Sequence, residues 1–197
     1  MRASLRTLAL LVPLITSAGT LVAQHHGLRP VERGTRDDRG IWVLVGVAQG
    51  REQYRFDADP DWSSYFEANS FMLSAGGTVS PGFTVGIEWN VWSDYEADSY
   101  QKLHALSLIG NWYVAGTPLF LKGGVGLGID RIEDATGIFR DTGTSLTVGA
   151  GIDIPIARRV AIQPRIDHYI QRYDDAGQAN DFRERLTQIG VDRKSVV

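Results

Sequence analysis

The side chains able to do chemistry are few. The 197-residue chain has no Cys and four His, which excludes thiol catalysis, disulfide staples and Cys-ligated metals. His25 and His26 are adjacent in a polar stretch and read as incidental rather than as a metal site. His104 precedes Ala105-Leu106-Ser107, and His168 precedes Tyr169-Ile170. A hydrolytic dyad needs His and Ser within reach of each other, with an acid to orient the imidazole. Three positions apart on a strand, His104 and Ser107 point to opposite faces, so both histidines read as polar tips and no catalytic residue is assigned. Asp57, Asp59 and Asp61 lack the Gly and distal Glu of a calcium loop and read as a solvated loop. Gly123-Gly124-Val125-Gly126-Leu127-Gly128 resembles a dinucleotide fingerprint but opens no helix. No metal or cofactor is expected. A net charge of −3 is too near zero for a general nucleic-acid binder.

The elements that carry these residues are strands. Residues 1–23 have Arg2 and Arg6, an apolar run from Leu8 to Ile15 and small residues up to Ala23, the order of a cleaved signal peptide. Residues 24–40 are polar, without apolar period, and read as a flexible lead-in. From Ile41 onward, apolar residues alternate with Gly and polar residues in runs of about ten. Phe83, Val85, Ile87, Trp89 and Val91 share one face, against Thr84, Gly86, Glu88 and Asn90. Leu146, Val148, Ala150, Ile152 and Ile154 oppose Ser145, Thr147, Gly149, Gly151 and Asp153. Counting Ile41–Ala48 and Arg183–Val191, the pattern gives eight strands.

Short connections at Ser80–Gly82, Ala115–Pro118 and Pro155–Arg158 alternate with long polar ones at Gln49–Glu67, Ser93–Gln101, Arg131–Thr142 and Arg172–Phe182. All long loops then leave one end, as in an up-and-down barrel. Of the 22 glycines, Gly76, Gly86, Gly124, Gly126, Gly128, Gly149 and Gly151 fall on the polar face. Exterior glycine only weakens strands, whereas a narrow interior needs small residues beside large ones. The apolar face is therefore assigned to lipid and the polar face to the lumen. On that face Glu88, Asn90, Asn111, Lys122, Gln163, Arg165 and Asp167 form the candidate polar network, with Glu88 and Asp167 pairing Lys122 and Arg165. Trp92, Trp112, Tyr113, Phe83 and Tyr169, near strand ends, are read as interfacial girdles.

FTVGIEWNVW, LSLIGNWYV, PLFLKGGVGLGID, SLTVGAGIDIPIARRVAIQPRID and RLTQIGV resemble consecutive strands of the small outer-membrane β-barrels of the OmpA/OmpX-like superfamily. The resemblance implies an all-β, eight-stranded antiparallel up-and-down transmembrane barrel over residues 41–193 in a bacterial outer membrane. It also implies short periplasmic turns, long extracellular loops, insertion by the barrel-assembly machinery, contact with outer-membrane lipid and a monomeric state. The implied role is non-enzymatic: membrane integrity, or recognition of an unidentified surface ligand through loops such as Asp57–Phe66. The alternatives are a soluble lipocalin-like lipid-binding barrel, suggested by Gly40-Ile41-Trp42, and a lipid A-modifying enzyme. Two departures stand out. Pro164 interrupts a strand without a free edge, which calls for a bulge or a non-bonded N position. Asp192-Arg193-Lys194 breaks the expected pattern, so residues 194–197 are read as an atypical end, truncated or mis-assembled after Val191.

Overall fold

Period-two alternation becomes a closed sheet. The structure, a computed structural model, describes residues 40–96, 99–135, 137–174 and 181–197. The expected signal peptide and all of the lead-in except Gly40 lie outside them. The strands are β1 (Ile41–Phe56), β2 (Phe66–Ser80), β3 (Phe83–Glu96), β4 (Ser99–Tyr113), β5 (Leu119–Asp134), β6 (Gly137–Ile152), β7 (Ile154–Ala157), β8 (Val160–Tyr173) and β9 (Phe182–Val196). β6 and β7 are one staircase stepped at Asp153, and both pair with β8. The remaining neighbours pair antiparallel in chain order, β1 meets β9, and the β6–β8 ladder closes the ring. The result is an eight-stranded barrel.

Turn chemistry sets one end. Pro81 presets the first turn position and Gly82, at φ 81°, takes the left-handed conformation that lets Phe83 pair with Ser80. Gly116, at φ 73°, does the same between β4 and β5.

The other end departs from expectation. β3 runs to Glu96 and β4 starts at Ser99; β5 runs to Asp134 and β6 starts at Gly137. Most of the expected long loops at Ser93–Gln101 and Arg131–Thr142 is thus paired strand, with Tyr95 opposite Tyr100 and Glu133 opposite Ile138. Beyond the apolar band both faces of a strand can be polar, so the alternation fades while the backbone ladder continues.

Pro164 causes no bulge. β8 keeps a constant register with β9 through the Pro164–Val191 pair. Toward β6 and β7, Pro164 falls in a gap in the ladder between the Gly151–Arg165 and Ile154–Ile162 pairs, where its missing N–H costs no bond. The expected break in alternation at Asp192 is corrected as well. β9 continues to Val196 against β1 and β8, with Asp192 and Lys194 buried inside and Arg193 outside. The three charges keep the alternation: of the three, only Arg193 lies on the outward face, close to the end of the strand.

Candidate functional site

The polar face closes around a lumen filled with side chains. Lys122 donates from Nζ to both carboxylate oxygens of Glu88 at 3.0 Å each and lies 2.6 Å from Asp167. Arg165 joins Asp167 to Asp192. Tyr169 donates its hydroxyl to Glu88 at 2.8 Å, and the Lys122 ammonium sits 5.7 Å from the Tyr169 ring centre. Five ionised groups from β3, β5, β8 and β9 thereby form one buried network. Each ion meets an opposite charge, which lets charges persist in a buried interior.

The sequence-derived set divides. Glu88, Lys122, Arg165 and Asp167 come together. Asn90 is buried one lumen-facing position above Glu88 and accepts from Gln188 at 3.1 Å. Asn111 lies lower, half-buried, and donates to Thr84 at 3.2 Å. Gln163 is buried and opposite Asp192 in the β8–β9 register. Sequence reasoning missed Asp192, Gln188 and Tyr169 as partners; carrying the Gly190 parity two residues on would have found Asp192. It also missed Lys194, which donates to Tyr113 at 2.7 Å and to Asp153 at 3.3 Å at the short-turn end.

Two apolar layers bracket the network. Trp42, Leu44, Met72 and Ile109 pack toward the short turns. Trp92, Leu103, Ala105, Tyr169 and Leu186 pack toward the other end. Three of the five residues assigned to aromatic girdles therefore point inward. Trp92 and Tyr169 are fully buried, and Tyr113 donates to Asp153 at 3.3 Å. Only Phe83 and Trp112, opposite each other on β3 and β4, face outward. Position near a strand end does not select a face; parity does.

Glycine makes this filling feasible. A methyl group at Gly86 would sit 2.7 Å from the Trp42 ring and 2.5 Å from the Ala75 carbonyl; one at Gly151 would sit 2.5 Å from the Phe120 ring. Lumen glycines are the floor on which large inward side chains lie. The same tightness governs Thr147, which is fully buried and within 3.5 Å of the Ser107 hydroxyl. Thr147→Gln, which an open polar lumen would accept, is expected to cost about 1–3 kcal/mol by overpacking. Urea unfolding of the refolded variant in detergent checks this.

Outside, the pattern is reversed. Ile87, Leu108, Val125, Leu127 and Val148 are exposed, and the apolar run Phe83–Val91 on β3 matches the roughly nine to eleven residues of a membrane-crossing strand. A soluble barrel would bury these and expose Lys122 and Glu88, so the lipocalin-like alternative does not hold. The ion network lies inside and the apolar band of each strand lies outside.

Two solved structures show the same arrangement of strands. The crystal structure of Neisserial surface protein A (NspA) is similar with a TM-score of 0.57 and 13% identity, over 79% of this chain and 97% of that one. Ail, the attachment invasion locus protein of Yersinia pestis, is similar with a TM-score of 0.50 and 12% identity, over 79% of this chain and 99% of that one. No family model and no curated protein sequence matches the chain. The fold is that of the small outer-membrane β-barrels.

Around this barrel, the histidines find partners other than Ser107. Ser107 is buried in the lumen, while His104 faces outward and stacks on Trp89, ring centres 6.1 Å apart and nearly parallel. His168 Nδ1 lies 2.8 Å from the Thr187 hydroxyl across the β8–β9 ladder. Asp57, in the acidic stretch, pairs with Arg183 at 3.2 Å. The 57–65 segment folds back on the outer wall, where Gln53 donates to the Ser63 carbonyl at 2.6 Å and Trp62 lies against Arg185, 4.2 Å from ring centre to guanidinium.

Proposed function

We propose that the chain is a non-enzymatic, monomeric barrel of the bacterial outer membrane whose work is done by its outward surface and its extracellular rim, in membrane integrity or in contact with a surface ligand. The observation that supports this is the filled lumen. An ion network held between two apolar layers, with glycine backbone packed against Trp42 and Phe120, supports a lumen without an open pore; eight strands enclose just enough room for side chains. Closure leaves no free strand edge to recruit a second copy, which supports a monomer that meets outer-membrane lipid on all sides after insertion by the assembly machinery. The separation of His104 from Ser107 supports a non-enzymatic role over lipid A modification.

Planar-bilayer recording of the refolded protein tests the reading. The expected result is a membrane resistance equal to that of the protein-free bilayer. Stable unitary conductance steps would overturn it in favour of a porin-like passage.

A further inference from the structure

Lys102 on β4, Arg131 on β5 and Arg140 on β6 are direct cross-strand partners, Lys102 opposite Arg131 and Arg131 opposite Arg140. All three share the outward parity, giving a row of three like charges across adjacent strands. Such neighbours repel; Glu133 holds Arg131 at 3.1 Å. Lys102 leans over the Tyr100 ring at 4.6 Å, and Arg140 is exposed. Immediately below the row lies a groove of about 400 Å³ whose walls include Trp89, His104, Leu106 and Ile129, with Arg131 and Arg140 at its upper edge. Leu106 belongs to the lipid-facing band.

A ligand suited to this place carries hydrocarbon below and at least one anionic group above, at the level where a bilayer passes from acyl chain to headgroup. A free anion satisfies only one half. We infer that the β4–β5–β6 face is a binding site for an anionic, phosphate-bearing membrane lipid, its phosphate held by Lys102 and Arg140 beside the Arg131–Glu133 pair and its acyl chain against Trp89 and Leu106. This rests on the membrane-embedded reading and names the lipid with which the rim makes specific contact. A charge-assisted grip on phosphate relieves the repulsion along the row.

The test uses the full chain refolded into phosphatidylcholine nanodiscs doped with phosphatidic acid, with lipid retained after detergent extraction counted by native mass spectrometry. The wild type is expected to retain phosphatidic acid over phosphatidylcholine. K102Q/R140Q is expected to weaken that retention by about tenfold, and Arg140→Gln alone, at an exposed position, to act in the same direction. Arg51→Gln, which breaks an ion pair with Glu67 elsewhere on the rim, is expected to leave it unchanged. Equal retention of the two lipids by the wild type, an unchanged K102Q/R140Q variant, or an equal loss in Arg51→Gln would each overturn the site. So would displacement of the lipid by inorganic phosphate alone, which would identify a free-anion site. Failure of the membrane reading looks different: the protein would stay in the aqueous phase without detergent, before any lipid is compared.

Discussion

Lys122→Met is expected to destabilise the folded barrel by about 3–5 kcal/mol, the usual cost of removing one partner from a buried ion pair. Lys122 supplies both contacts to the Glu88 carboxylate and one to Asp167, with the side chains of all three almost fully buried. Methionine fills the same volume but cannot neutralise either acid. Glu88 would keep the Tyr169 hydroxyl, which offsets only part of an uncompensated charge. Equilibrium urea unfolding in detergent or thin bilayers measures the loss. The decisive comparison is the double variant Glu88→Gln with Lys122→Met, which removes a charge of each sign. It is expected to be more stable than Lys122→Met alone, with a coupling between the sites of about 0.5–3 kcal/mol. Strict additivity would mean that the pair does not interact and that the lumen is wetter than its packing indicates.

The second large effect lies on the opposite face of the wall. Ile87 is 60% exposed and sits at the middle of the apolar run of β3. Ile87→Arg is expected to cost about 2–4 kcal/mol in a bilayer, where the guanidinium meets hydrocarbon far from either headgroup layer. On a water-exposed strand the same change would be nearly neutral, since surface substitutions usually fall within about 0.5 kcal/mol. Unfolding titrations in phospholipid vesicles read the difference. A neutral result would show that this face meets water, and the inside-out assignment would fall with it. The two variants probe the two sides of one strand arrangement: Ile87 and Glu88 are neighbours in sequence and are assigned to oil and to a buried ion network.

That adjacency explains why so much of the fold was legible. Side chains on a strand alternate between two faces. A run such as Phe83–Val91 therefore announces both a strand and the polarity of its surfaces, and glycine marks the cramped side. Parity also brought Glu88, Lys122, Arg165 and Asp167 to one face without any pairing information. It could not say how far each strand continues, because beyond the lipid band the apolar signal vanishes while the ladder goes on to Glu96 and Asp134. It misjudged Trp92, Tyr113 and Tyr169, where aromatic character at a strand end outweighed their inward parity. Asp192-Arg193-Lys194 looked irregular because three consecutive charges were taken together against a lipid-facing strand, whereas by parity only Arg193 faces out and Asp192 and Lys194 meet Arg165 and Asp153 inside.

By itself the sequence determined the class of object: eight strands, one oily and one polar face, and glycine turned toward a narrow interior. These follow from local periodicity, which every strand carries independently of its neighbours. Only the tertiary structure decided who meets whom. Register brought Lys122 of β5 between Glu88 of β3 and Asp167 of β8, put Trp42 on the glycine floor of β2 and β3, and lined up Lys102, Arg131 and Arg140 across three strands. Register depends on turn geometry, barrel closure and the fit of all the inward side chains at once, and no single strand records it.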